Sequence, residues 1–545
     1  MLRSRYSPFR FNDWARRAFA VDGRSLAAFR MAIGAVVCSD AILRTRDFGV
    51  MFTPNGMFPL SALGTFLSAP GVWSLATVID ASWWSSLMLM LEGLAGAALA
   101  VGAGTRIATI AAWVAVVSVL RRTAPATNAG DLWLACLLFW GMFLPLGATW
   151  SLDALFSGGR TGQWRGDGGT HSRTAETTAA GPAADPRPPR AVLSAGSAAL
   201  VLQIIAVYLA SGLSKCNASW LSGDAIARVL SVHNHGTQWG AVVGSSPWLT
   251  RPATWAVLLV EIAGPLLLLA VPRPRVRLVV AAVFILFHAS IAILMSVGLF
   301  AFVGMAAWLA ILPASAWSAA KSPAASSDVR PAEGPASGTV GLAWQWCCVA
   351  AGCLAMASLV HHNSPWRRLP LPRPLAAAIN ACCLDQDWGM FGEVLPQEQW
   401  VYARGELADG RVVDVLRGGR PMESVRPTDG FVSLPHHRWH KLFWEMPRPA
   451  LRIFSPSIAA TLARRWNETH DARSQLRSLE IRYARQAAAE ADGAFHELLL
   501  ATWPPRDGAG SGNLDRLLEE QQSPPRGRVS TAGTDASRAA KAAAR

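Results

Sequence analysis

The stretch Tyr208-Leu-Ala-Ser-Gly-Leu-Ser-Lys215-Cys-Asn217-Ala-Ser-Trp220-Leu-Ser-Gly223 ends an apolar run that starts near Ala191. A helix needs about 20 apolar residues to cross a bilayer, so the run is long enough. It stops at a lone Lys215, placed where hydrocarbon gives way to headgroups. A lysine there has two readings. It can snorkel into water as an anchor, or it can be an amine kept partly desolvated, able to act as base or nucleophile near neutral pH.

Similar runs recur along the chain. Of the 545 residues 52% are hydrophobic and only 16% charged, which makes the chain a polytopic membrane protein rather than a soluble globule. The net charge of +14 invites a nucleic-acid reading. Much of the Arg, however, lies in short segments beside apolar runs, where the positive-inside rule places it, so no nucleic-acid partner is expected. The partner is the lipid bilayer. The eight Cys form no CxxC pair. Cys38, Cys136, Cys347, Cys348 and Cys353 read as apolar packers inside spans, while Cys216, Cys382 and Cys383 are placed to meet an oxidising compartment.

Residues 1–25 are basic and aromatic, an interfacial cytoplasmic segment. Spans are expected near residues 26–43, 83–103, 107–120, 132–148, 192–213, 253–270, 277–297, 299–316 and 341–360. The first lacks a small-residue cleavage site and reads as a retained anchor. Segment 46–80 is expected outside, lying on the membrane surface. Gly102-Ala-Gly-Thr-Arg106 makes a tight cytoplasmic turn. Arg121 and Arg122 sit on the outer side, against the positive-inside count. Residues 157–190 and 318–338 read as disordered loops. Nine spans place the amino terminus in the cytoplasm and the carboxyl terminus outside the cell membrane.

Past Pro365 the composition turns water-soluble. Gln399–Leu407 and Arg411–Leu416 alternate around Ala408-Asp-Gly410, a β-hairpin signal. Residues 456–466 and roughly 473–502 read as helices, and 505–545 as a disordered tail. The fold expected is thus an all-α polytopic membrane bundle of about nine transmembrane helices with a C-terminal extracytoplasmic β-rich or α+β portion. Its divisions fall at 1–25, 26–362, 363–504 and 505–545.

Several polar residues lie inside the apolar runs. An intramembrane charge costs at least about 2.5–3.5 kcal/mol at mid-bilayer, so Glu92 and Glu261 must face a partner or a cavity. Arg30 and Asp40 read as anchors near span ends. His288 is either a hydrogen-bonded core residue or part of a cavity wall. His233-Asn-His235 has ligand-like spacing without a third ligand at a recognisable interval, so no metal site is expected. His361-His362 and His436-His437 are expected to face solvent.

Several patches together carry a resemblance. Gly212-Leu-Ser-Lys215-Cys-Asn217-Ala-Ser-Trp220-Leu-Ser-Gly223 resembles the Gly-x-x-Lys-x-x-x-x-Trp-x-x-Gly segment of the HTTM family, the bacterial relatives of vitamin K-dependent gamma-carboxylase. Trp150-Ser-Leu-Asp153 before it, and Glu261, Phe287-His288 and Asp387-Trp-Gly-Met-Phe391 after it, fall where that family has comparable residues. In the animal carboxylase a reduced naphthoquinone reacts with oxygen to generate a strong base. That base takes a gamma proton from peptidyl glutamate, and carbon dioxide adds to the carbanion. The resemblance implies that Lys215 is the base that deprotonates the quinol, that the cofactor is a reduced naphthoquinone, and that an exported peptide or protein is the substrate. His288, Glu261, Asn128, Asp131, Asn217 and Trp220 are the accompanying cavity and substrate candidates. One departure stands out: where the carboxylase has a histidine before its fourth span, this chain reads Asn128-Ala-Gly130-Asp131. The reading from another class is a non-catalytic membrane factor serving the maturation, transport or immunity of an exported protein or lipid, with Lys215 as an anchor.

Overall fold

Small residues let the first helices of the bundle approach closely. In the computed structural model, which describes residues 11–160, 191–231, 234–317, 339–364, 369–394, 396–422, 427, 429–487 and 495–505, an amphipathic helix α1 (Phe11–Phe19) leads into α2 (Gly23–Thr45). Helix α2 packs along α3 (Ser82–Val101), where a Cβ on Gly34 would come within 2.6 Å of the Ala100 backbone. Backbone approach of this kind is how helices associate where the surrounding lipid is as apolar as their side chains.

The Gly102-Ala-Gly104 turn joins α3 to α4 (Thr105–Arg122), and both glycines have left-handed φ, 76° and 53°. Asp153 closes this turn by accepting the Gly104 and Thr105 N–H groups, each at 2.7 Å. Arg30, at 0% exposure, donates to the carbonyls of Leu99 (3.1 Å) and Trp150 (2.5 Å). Arg30 is therefore an internal staple, not the span-end anchor its position suggested. Its hydrogen bonds satisfy carbonyls that hydrocarbon could not.

The bundle continues through α5 (Ala129–Gly141), α6 (Ala195–Ser214), α7 (Pro247–Ala270), α8 (Pro274–Leu294), α9 (Phe300–Leu309) and α10 (Thr339–His362). Six of these helices, α2, α3, α6, α7, α8 and α10, are long and apolar enough to cross a membrane. The other three expected spans are also helical, but α5 and α9 are shorter apolar helices and α4 is not among the six. Of the loop expected over 157–190, residues 157–160 instead end the helix Leu152–Arg160, and 161–190 lie outside the described residues, as do 318–338 and all but the first residue of the tail expected over 505–545.

The C-terminal unit holds a five-stranded antiparallel sheet of β1 (Gln397–Leu407), β2 (Val412–Asp414), β3 (Arg420–Pro421), β4 (Leu476–Ala487) and β5 (His496–Trp503), in the order β3-β2-β1-β4-β5. The expected hairpin is present, with Arg404 opposite Asp414. The helix expected over 473–502 is not: β4 pairs with β1 and β5 instead. Leu479, Ile481 and Tyr483 are buried in alternation with Glu480 and Arg482, a period of two. The Ala-rich run that follows suggested helix from propensity, and tertiary pairing overrode it. Helices α11 (His437–Glu445) and α12 (Ser455–Thr469) pack beside the sheet.

Residues 46–80 do more than lie along a surface. Met51, Phe52, Met57 and Phe58 are buried in one core with Phe454, Ile458 and Leu462, and Phe58 meets Phe454 edge to face. Arg122, expected to run against the positive-inside count, is held within the fold. Its guanidinium donates to the carbonyls of Met51 (3.2 Å), Phe52 (3.1 Å) and Phe58 (2.8 Å), so it is retained as a hydrogen-bond donor.

Candidate functional site

Helix α6 reaches its C-cap at Lys215, whose side chain turns inward and is only 3% exposed. Its Nζ donates to Glu261 Oε2 on α7 at 2.6 Å and to the Ser211 hydroxyl one turn back. It also stands 5.3 Å above the Trp220 ring. Glycine makes this meeting of helices geometrically feasible. A Cβ on Gly212 would lie 2.8 Å from Ile262 and 3.2 Å from the Glu261 Cβ. Gly223, at φ 85°, turns the chain after Trp220. Pro265 adds a local feature: it lacks the N–H that would otherwise bond the carbonyl of Glu261.

His288 of α8 is 1% exposed and shares a 2.5 Å hydrogen bond between Nε2 and the Tyr208 hydroxyl. Trp308 Nε1 donates to that hydroxyl at 2.8 Å, which directs the Tyr208 proton toward His288 Nε2. The neutral ring then carries its proton on Nδ1, an atom with no partner among the described residues. Gly304 of α9 leaves the space the ring occupies, since a Cβ there would fall 2.2 Å from the imidazole.

Lys215, Glu261, Ser211, Tyr208, His288 and Trp220 all line one cavity of about 320 Å³. Most of the remaining wall is apolar, with Val207, Val229, Val257, Phe287, Ile291 and Phe300 among its residues. Its size falls at the lower end of small-molecule sites, and its lining has their character, an apolar wall with few polar groups. Ser290 of α8 belongs to this wall and is exposed on the outer surface of the bundle. The cavity wall thus includes an exposed residue of a helix long and apolar enough to cross a membrane.

A second, polar hollow of about 640 Å³ lies where the bundle meets the C-terminal unit. Asn128, His235, Gln399, His437, His440, Lys441 and Glu445 line it, and it shares Phe300, Met390 and Phe391 with the apolar cavity. His436 and His437, expected to face solvent, turn inward instead: His436 bonds the Asp47 carboxylate and His437 lines this hollow. His437 and His440 sit one helical turn apart on α11, with His440 only 4% exposed. Burial holds His437 and His235 down at about 3 and His440 well below the usual imidazole range, so all three rings are neutral. The i, i+3 spacing of these histidines was the sequence signal for a shared face.

The remaining candidates divide. Asn128 caps α5 through a capping box with Asp131 and lines the polar hollow. Asp131 lines neither space. It pairs with Arg44 (3.2 Å) and with Arg438 of α11 (3.0 Å). Asp40 completes that cluster through Arg44 (2.8 Å) and Arg438 (2.5 Å), so it too is internal and not an anchor. Burial works against the Arg438 charge, yet Asp131 and Asp40 raise the guanidinium further above its ordinary value. Asn217 caps the helix Ala218–Leu221 and donates to the carbonyls of Ser214 (3.0 Å) and Gly392. Trp220 Nε1 donates to the Phe391 carbonyl at 2.7 Å.

Among the described residues no group of three His, Cys, Asp or Glu is placed to hold a metal ion, and His233 lies outside them. The described cysteines are all free thiols.

Residues 192–317, from the start of α6 past the end of α9, match the family model of the HTTM domain. The chain carries an HTTM domain, and Lys215, Glu261 and His288 all lie within it. No curated protein matches the chain, and no solved structure does.

Proposed function

We propose that this HTTM-domain membrane protein binds a lipid-soluble ligand, a reduced naphthoquinone, beside Lys215 and modifies an exported peptide in a carboxylase-like reaction. The observation that carries the reading is the buried Lys215–Glu261 pair set in the wall of a largely apolar cavity among helices long and apolar enough to cross a membrane. A bicyclic ring suits the size and lining of this cavity, and a polar peptide side chain suits the neighbouring hollow. When bound, the reduced quinone would supply the oxygen-dependent strong base that removal of a gamma proton demands.

The chain's own groups have defined tasks in this reading. Nζ of Lys215, held by Ser211 and Glu261, would first pass its proton to the Glu261 carboxylate and then, as a neutral amine, receive the hydroxyl proton of the ligand, leaving a Lys215 ammonium, a protonated Glu261 and the ligand anion. The apolar walls keep bulk water from the pair. His288, with its tautomer set by Tyr208, orients the ligand through an N–H group. The three shorter helices would complete nine crossings, with the amino terminus in the cytoplasm and the sheet-bearing unit outside the cell membrane.

The second reading is a non-catalytic HTTM factor that holds an exported protein or lipid. It is favoured by the same pair, because a lysine already neutralised by Glu261 is a complete structural element. The deciding experiment supplies purified protein in lipid nanodiscs with a reduced naphthoquinone, oxygen, bicarbonate and a Glu-rich exported peptide. Mass spectrometry of the peptide is the readout. A mass gain of one carboxyl group that disappears with Lys215→Ala supports the proposal. A gain that survives the substitution removes Lys215 as the base, and no gain with the native protein favours the second reading.

A further inference from the structure

Phe391 is one of the few residues other than glycine with φ in the left-handed region, at 55°, and it is a bulky aromatic. Such a conformation persists only where the surroundings enforce it. The enforcing contacts come from the segment that directly follows Lys215. Trp220 Nε1 holds the Phe391 carbonyl at 2.7 Å, Asn217 Nδ2 holds the Gly392 carbonyl, and Ser219 Oγ accepts the Val394 N–H at 3.4 Å. On the far side the Phe391 ring meets His235 in a T-shaped contact at 5.0 Å.

This pinned residue stands where two spaces of opposite character touch. The apolar cavity and the polar hollow have Phe300, Met390 and Phe391 in common. On one side lies the buried pair of Lys215 and Glu261; on the other lie amides, imidazoles and charged side chains, among them Arg448 with its side chain 70% exposed.

We propose that Phe391 is the partition between a lipid-fed chamber and a water-fed chamber, a positioning residue that keeps the aqueous hollow from flooding the Lys215–Glu261 pair. The strained backbone fits this task, because it turns the chain so that a large ring lies between the chambers. The attraction between Nζ and the carboxylate falls as water raises the local dielectric, so the partition guards the state of the pair. Asn217 and Trp220 then act through Phe391: they are the pins of the partition. The inference rests on the proposed function only for what each chamber holds.

The test needs neither ligand nor turnover, so its failure is separate from failure of the carboxylase reading. Val207 lines the apolar cavity on α6 and is 2% exposed. Val207→Cys is treated from the aqueous phase with a small anionic thiosulfonate reagent, and labelling of that peptide is followed by mass spectrometry. Labelling should be slow with Phe391 in place and about tenfold faster in Phe391→Gly, a residue that keeps the left-handed turn without the ring. Phe391→Leu, which retains an apolar bulk, should stay slow. Native Cys136, at 0% exposure, reports whether the fold has loosened. If it also reacts in Phe391→Gly, the comparison passes to Phe391→Asn, the residue after glycine best suited to this φ. Rapid labelling with native Phe391, or an unchanged rate once the ring is removed, overturns the proposal.

Discussion

Lys215 Nζ and Glu261 Oε2 lie 2.6 Å apart across the seam between α6 and α7, with side chains only 4% and 6% exposed. Removing one member of such a pair strands the other in a poorly hydrated wall, which typically costs about 3–5 kcal/mol. Replacing both by apolar groups of similar volume is often neutral. Glu261→Ala should therefore lower the thermal unfolding temperature in detergent, and Lys215→Met combined with Glu261→Leu should recover most of the loss. A Glu261→Ala variant that melts with the wild type would show that the pair adds nothing to stability.

Arg438 ties the C-terminal unit to the bundle by a comparable device. It is the one described side chain of α11 that reaches both Asp40 and Asp131, and its loss leaves two buried carboxylates sharing Arg44. Arg438→Met should cost about 3–5 kcal/mol. Because α11 supplies His437, His440 and Lys441 to the polar hollow, the variant should also become sensitive to limited proteolysis between α10 and α11. Cleavage sites and rates equal to those of the wild type would dismiss the clamp.

Much of this architecture could be read from the chain, and the misreadings have physical causes. Apolar runs located the helices because a bilayer leaves the backbone no other partner, and Lys215 was marked by ending one such run. Glu261 was visible as an intramembrane carboxylate, yet its pairing with Lys215 depends on Gly212, whose role is a close approach between helices distant in sequence. Arg30 and Asp40 looked like anchors because sequence shows distance from a helix end but not which neighbours pack against it. Asp131 looked available for a ligand, and Arg438, more than 300 positions later, occupies it. Strands β4 and β5 were misassigned because alanine propensity outweighed a short alternation of Leu479, Ile481 and Tyr483.

The neutral histidines give the fold a pH dependence with a defined sign. An unfolded histidine titrates near 6.5, whereas His437 and His235 are held at about 3 and His440 well below the ordinary value. Between those limits the unfolded chain binds more protons, so stability rises with pH. Stability from these groups is complete above about pH 6.5 and falls as the pH drops toward 3, by up to about 1.4 kcal/mol per unit for each ring. Unfolding temperatures measured from pH 7.5 to 4.5 should decline, and His440→Gln should flatten the slope. A slope unchanged by that substitution would place the titration elsewhere.

Gly304 should be the position in α9 least tolerant of a methyl group. A Cβ there would lie 2.2 Å from the His288 ring carbon and 2.4 Å from either ring nitrogen, and His288 is held through Nε2 by Tyr208. Overpacking of this kind costs about 1–3 kcal/mol. Alanine recovers up to about 1 kcal/mol of helix propensity over glycine, so the net loss is smaller than the clash alone. The two contributions separate in a double variant. Gly304→Ala should destabilise the protein and displace His288 from Tyr208, whereas Gly304→Ala with His288→Ala should keep the propensity gain without the clash and melt higher than His288→Ala alone. If the methyl group costs the same in both backgrounds, the imidazole is not what Gly304 makes room for, and the seat of His288 in the cavity wall must be set by other residues.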